Sequence, residues 1–128
     1  MIYDVIVVGG GISGLMAAIE AKNEINKVAL ITKGNIFKSN SSMASGGINA
    51  VLDPKNIKEI NKHIADTLGS TKEIGSKKAI TYMCKQASNI INKLVDYGVE
   101  FDKDENGNIA QRPFGGGSSN RTCYVGDK

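Results

Sequence analysis

Gly9, Gly11 and Gly14 fall at the spacing G-x-G-x-x-G near the start of the chain. With Gly10, Ile12 and Ser13 between them, they form a segment suited to holding a pyrophosphate. Each glycine has its own reason. Gly9 lets the backbone turn sharply, Gly11 leaves room for a diphosphate to approach the main chain, and Gly14 lets a helix pack close to a strand. A helix starting here would aim free N–H groups and the positive end of its dipole at the phosphates.

Two further stretches have residue types that suit ligands. The first is residues 33–50, running from Lys33 through Ser39, Asn40, Ser41, Ser42, Met43, Ala44, Ser45, Gly46 and Gly47 to Ala50. A small, polar stretch this long without periodicity is functional or disordered. Ser45-Gly46-Gly47, followed by Ile48, Ala50 and Val51, reads as backbone brought against a ligand and continued as a buried segment. The second is Gln111-Arg112-Pro113-Phe114-Gly115-Gly116-Gly117-Ser118 with Arg121-Thr122-Cys123-Tyr124. Arginine, an aromatic ring and a glycine run suit a carboxylate-binding cleft. A glycine-rich surface loop is the competing reading.

The elements that must position these residues follow from hydropathy. Ile6, Val7 and Val8 form an apolar run expected to be a parallel strand covered on both faces. Leu15, Ala17, Ala18, Ile19 and Ala21 give a helix face continuing toward Glu24, and Asn26-Lys27 is a polar connector. Val28–Ile31 is the second strand, closing a βαβ unit with a right-handed crossover. At its end an NAD-binding unit would place a carboxylate for the ribose hydroxyls. Thr32-Lys33 cannot play that part, which argues against NAD.

Beyond Asp53-Pro54, the spacing of Ile57, Ile60, Ile64 and Leu68 predicts an amphipathic helix over 55–69, ended by Gly69-Ser70-Thr71. His63, the sole histidine, falls near its polar face and reads as structural or solvent-facing. Ser76 caps a second helix with an apolar stripe of Ala79, Ile80, Met83, Ala87, Ile90, Ile91, Leu94 and Val95, and Gly98 follows its end. Cys84 is a packing residue within it. Val99 and Phe101 start a short strand, Asn106-Gly107 is a hairpin turn, and Ile109 leads the return strand. The class is α/β: a Rossmann-like domain with an N-terminal βαβ unit, further helices and a hairpin.

Composition narrows the function classes. The chain has 128 residues, enough for one modest core. Its net charge of +3 comes from dispersed lysines, a solvated surface rather than a nucleic-acid footprint. No apolar run approaches membrane-spanning length and no basic leader precedes the first strand, so no direct membrane insertion is expected. With only two cysteines, a reduced, cytoplasmic setting is the default expectation. Cys84 and Cys123 make neither a disulfide framework nor a metal site.

Taken in order, Val5–Leu15, Leu30–Lys33, Ala44–Ile48, His63 with Asp66-Thr67, Ala79–Lys85, Gln111–Gly116 and Arg121–Cys123 resemble the flavoprotein subunit of succinate dehydrogenase and fumarate reductase. L-aspartate oxidase is in the same superfamily. The resemblance implies FAD, held by Gly9, Gly10, Gly11, Ile12, Ser13 and Gly14 and by the loop from Thr32 to Gly47. It implies hydride exchange between flavin and a dicarboxylate, and an iron–sulfur partner subunit. It also implies capping and C-terminal domains that contain the catalytic residues, so this chain is expected to be an N-terminal fragment, inactive alone, without catalytic residues of its own.

Departures from the family refine these expectations. Membrane-bound members attach FAD covalently through a histidine whose position here is Asn40. An amide cannot form that bond, so non-covalent FAD is expected. Its lower expected potential favours fumarate reduction, although L-aspartate oxidase also lacks the linkage. Phe114 stands where L-aspartate oxidase typically has Glu. With Gly115 it is expected to contact substrate, its ring forming an apolar wall over a flat dicarboxylate. Ser45 stands where the family usually has Gln. A fumarate reductase/succinate dehydrogenase flavoprotein is the leading reading. L-aspartate oxidase and a degenerate nucleotide-binding module are the alternatives.

Overall fold

The computed structural model describes residues 1–22, 26–72 and 74–126. The chain forms two compact units, residues 1–45 and 46–128.

In the first unit, β1 (Val5–Val8) pairs in parallel with β2 (Val28–Ile31), Val5 opposite Val28 and Val8 opposite Ile31. Between them runs α1 (Ile12–Ala21), completing the expected βαβ unit. The expected extension of the helix face to Glu24 lies outside the described residues. Gly9 N–H donates to Ile31 O at 2.8 Å, so the ladder runs one residue past β1 into the turn. At the other end Asp4 accepts from Lys27 N–H, closing the sheet's lower edge.

The strand is not covered on both faces. Val5 and Val7 are half-buried, whereas Ile6 and Val8 remain 57% and 80% exposed. Alternate side chains of a strand point to opposite faces. Val7 lies on the α1 side, within reach of Gly14. No described element of the first unit covers the other face.

The serine-rich stretch is ordered by its own side chains. Asn35 caps a 3₁₀ turn at Ile36–Lys38 by accepting from Phe37 N–H. Ser39 caps α2 (Asn40–Met43) by accepting from Ser42 N–H. Ser42 Oγ donates back to Ile36 O at 2.7 Å. Short hydroxyl side chains satisfy local backbone groups here in place of a periodic ladder.

In the second unit, β3 (Ile48–Asn49) and β4 (Gln111–Arg112) flank β5 (Thr122–Cys123) in an antiparallel sheet. The helices are α3 (Ile57–Ser70) and α4 (Lys77–Asp96). Asn56 caps α3 and Ser76 caps α4, each through its side-chain oxygen. Gly98, at φ +92°, takes the left-handed turn after α4.

Both helical faces are shifted from the hydropathy reading. α3 buries Ile60 and His63, while Ile57 is 59% exposed. α4 buries Ile80, Cys84, Ser88 and Ile91, while Met83, Ile90 and Val95 face outward. Ser88 belongs to the buried face because its hydroxyl donates to Leu52 O at 2.9 Å. A satisfied hydroxyl is cheap to bury, and hydropathy alone does not register it.

The hairpin is also reduced. A single antiparallel bridge, Lys103 to Ile109, brackets a turn in which Asp104 Oδ1 accepts from Asn106 and Asn108 N–H. Val99 and Phe101 form no strand. Instead Phe101 joins Ala50, Ile91 and Cys123 in the core of the unit, with Leu52, Ala87, Leu94, Val99 and Ile109 around them.

The burial of these faces can be tested by denaturant unfolding of the complete protein. Ile91→Ala, at a site with no exposure, is expected to cost about 2–5 kcal/mol. Ile57→Ala is expected to stay within about 0.5 kcal/mol of wild type. Equal losses would mean that α3 packs on the face inferred from hydropathy. A second test concerns His63, whose pKa is held below the ordinary imidazole value by burial and then by the Arg121 guanidinium. A buried neutral histidine contributes stability above its unfolded pKa of about 6.5, and loses it as pH falls below that value. His63→Gln should flatten the part of the stability–pH curve just below neutrality. An unchanged curve would place His63 in solvent.

Candidate functional site

In the first unit the glycine turn is shaped by close approach. Gly9 has φ +118°, a region that L side chains rarely adopt. A Cβ on Gly14 would collide with Gly9 O, so no other residue lets α1 begin this close to β1. Gly10 is buried, and a Cβ there would stand 2.8 Å from Ile36 Cγ2 and 2.9 Å from Thr32 Oγ1. Gly11 is the extended residue preceding α1 and supplies no side-chain cap.

Ser41 reaches this turn from the serine-rich stretch. Its Oγ accepts from Ile12 N–H at 3.0 Å, satisfying one of the orphan donors at the start of α1. A Cβ on Gly11 would stand 3.3 Å from the same oxygen. Thus Gly9–Gly14, Thr32 and Ser41, expected to serve one ligand, lie together. Leu15 N–H already pairs with Gly11 O, which leaves Ser13 and Gly14 N–H at the positive end of the helix. A phosphate could bind there. Lys33, Asn40, Ser42, Met43, Ala44 and Ser45 are all exposed.

In the second unit, Gly46 and Gly47 have φ +114° and +115°. Protein atoms also crowd their Cβ positions. The Phe114 ring would stand 2.8 Å from a Cβ on Gly46, and Cys123 O would collide with one on Gly47. Arg112 Nη2 donates to Gly46 O at 2.9 Å and stacks 4.4 Å over the Tyr124 ring. Both glycines are therefore required by packing as well as by turn geometry. Phe114 is half-exposed, packed on Gly46 by one part of its ring.

Arg121 is buried, with its guanidinium paired to Asp66 and 3.9 Å from Glu59. Glu59 is held below the usual carboxylate range, chiefly by hydrogen bonds from Lys62 and Ser119. Both arginines of the expected carboxylate cleft are thus engaged by the chain's own groups. Asp66 also accepts from Ser118 N–H and Ser118 Oγ, each at 2.8 Å.

A cavity of about 90 Å³ opens here, lined by Asn49, His63, Asp66, Ser70, Arg121 and the glycine run. His63 Nδ1 and Arg121 Nε face no hydrogen-bond partner among the described residues. Of these residues, Asn49, His63, Asp66 and Ser70 stand outside the site expected from the sequence. The signal was their spacing: Glu59, His63, Asp66 and Ser70 fall at i, i+4, i+7 and i+11, one side of a helix. Apolar periodicity passes over a polar stripe.

Cys84 and Cys123 are both buried and unpaired, and burial pushes both thiols up. They are packing residues. Among the described residues no cluster of potential metal ligands occurs, and no helix is long and apolar enough to cross a membrane.

The sequence profile described as "FAD binding domain" matches residues 4–128. The succinate dehydrogenase flavoprotein subunit of Rickettsia bellii is 39% identical over 98% of the chain and 22% of its own length. One subunit of the fumarate reductase (CoM/CoB) of Methanothermobacter marburgensis is 36% identical over 98% of the chain and 23% of its own length. Among solved structures, Mycobacterium smegmatis Sdh1 in complex with UQ1 superimposes with a TM-score of 0.87 at 36% identity, over 98% of this chain and 21% of that one. The chain therefore spans less than a quarter of the length of these proteins. The ordered motifs, the βαβ unit with its glycine turn and the match along nearly the whole chain agree: it belongs to the FAD-binding domain family, with succinate dehydrogenase and fumarate reductase flavoproteins among its homologues.

Proposed function

We propose that this chain is the N-terminal FAD-binding portion of a fumarate reductase/succinate dehydrogenase flavoprotein. The hydrogen bond from Ile12 N–H to Ser41 Oγ carries the reading, because it joins the glycine turn to the segment expected to grip the cofactor. Gly9, Gly10, Gly11, Ile12, Ser13 and Gly14 present backbone to the pyrophosphate. Thr32 and Lys33 receive the adenosine side, and Asn40, Ser41, Ser42, Met43, Ala44 and Ser45 line the cofactor beyond it. Gly46 and Gly47 complete the same assignment in the sequence.

FAD, when bound, exchanges hydride at N5 with the C2=C3 unit of a dicarboxylate. The proposed task of this chain in that reaction is to hold and orient. Phe114 offers an apolar ring to a flat substrate, and Gly115 offers backbone. The exposed Phe114 ring supports that role. Proton donation and the remaining dicarboxylate contacts belong to capping and C-terminal domains outside this chain. An iron–sulfur partner would exchange electrons with the flavin, and the naming of the relatives as subunits supports a multi-protein assembly. The buried Cys84 and Cys123 provide no cluster site of their own.

Asn40 is exposed at the start of α2 and carries an amide in place of the linking histidine, which supports non-covalent FAD. The complete protein is expected to show flavin absorbance and to release the flavin into the supernatant on acid precipitation. Flavin that stays with the pellet would overturn the Asn40 assignment. Gly14→Val should abolish flavin binding, because its side chain would occupy the position of Gly9 O. A stoichiometric flavin content in that variant would remove the turn from the site. With a reduced dye as donor, the protein should reduce fumarate. Oxidation of aspartate without fumarate reduction would make it an L-aspartate oxidase.

A further inference from the structure

Between β4 and β5 the chain runs from Pro113 to Arg121 with Gly115, Gly116 and Gly117 in succession. Such a segment has much conformational freedom to lose on ordering. Within the loop, Gly117 N–H donates to Phe114 O at 3.1 Å. Gly116, at φ +82°, allows that turn. The loop is held from outside by α3. One oxygen of Asp66, Oδ2, accepts from both Ser118 N–H and Ser118 Oγ at 2.8 Å, and the same atom meets Arg121 at the end of the loop. Two turns of helix earlier, Glu59 Oε2 lies 3.9 Å from the same Arg121 guanidinium.

Hydrogen bonds to a carboxylate are the stronger ones, and here they converge on a residue 52 positions upstream of Ser118. Arg121 is buried at one end of this anchor, whereas the two bonds from Ser118 to Asp66 lie at the exposed edge of the loop. The loop begins at Phe114, which is only partly packed. A loop pinned at Ser118 and Arg121 leaves the Phe114–Gly117 turn few conformations.

We propose that Asp66 and Ser118 are positioning residues. They clamp the glycine loop in the conformation that presents Phe114 and Gly115, and so set the affinity for the dicarboxylate. The affinity half of this proposal rests on the substrate role assigned to Phe114 above. The clamp itself does not.

Asp66→Asn would also take the nearer carboxylate from the buried Arg121 guanidinium, leaving only Glu59 at 3.9 Å, and could prevent folding. The decisive variants are therefore Ser118→Ala and Ser118→Thr in the complete, flavin-loaded protein. Ser118→Ala is expected to speed amide exchange across 114–120 and to raise KM for fumarate about fivefold, the size of effect that an ordinary, exposed hydrogen bond carries. The flavin spectrum, the melting temperature and kcat should change little. Ser118→Thr keeps the hydroxyl and should restore both exchange and KM. Wild-type exchange and KM in Ser118→Ala would overturn the proposal, as would a fall in melting temperature that accounts for both effects. If the flavin-loaded wild type does not turn over a dicarboxylate, the substrate reading fails. Amide exchange then decides the clamp alone: faster exchange in Ser118→Ala supports it, and unchanged exchange ends it.

Discussion

The absence of a side chain at Gly14 is the constraint on which the first unit depends. Gly9 O occupies the space that a Cβ would need. That contact sets how near α1 starts to β1 and therefore where its first N–H groups point. Gly9 must take a left-handed φ to bring its carbonyl there, and its N–H closes the ladder onto Ile31. A helix begun one residue later would aim its dipole elsewhere. The direction of the helix's first N–H groups, which would suit a phosphate, is thus a consequence of close packing, with no charged residue involved.

The serine-rich stretch illustrates how a non-periodic sequence becomes ordered. Asn35, Ser39, Ser41 and Ser42 each direct a short polar side chain at a nearby backbone group. Three of these bonds are local. The fourth, from Ile12 N–H to Ser41, is not, and it ties the stretch to the glycine turn. Hydroxyls that would be costly inside a longer helix are favourable here because the segment consists of single turns that need caps.

In the second unit, buried polar groups decide the architecture as much as apolar ones do. Arg121 is surrounded by Asp66 and Glu59, and α3 faces it with a polar stripe. Burying that charge is tolerable only because a carboxylate meets it. Gln111 donates to Ala50 O at 2.7 Å and Ser88 to Leu52 O, so two polar side chains hold the segment after β3 against the core. Buried polar contacts that are satisfied in this way rigidify a core.

The sequence alone determined the βαβ unit, the glycine turn, the caps at Ser76 and Gly98 and the family, because each depends on residues close along the chain or on an ordered series of motifs. It also placed α3 and α4 to within a residue or two. Only the tertiary structure decided which faces those helices bury, that Ile57 and Met83 look outward while His63 and Ser88 look inward, and that Val99 and Phe101 join a core instead of a strand. It likewise decided that Arg112 and Arg121 are engaged within the chain and that Asp66 holds the glycine loop. The physical reason is the same in each case. Hydropathy scores a side chain by its transfer from water, but a polar group can be buried at little cost once a distant partner meets it, and that partner is set by the fold.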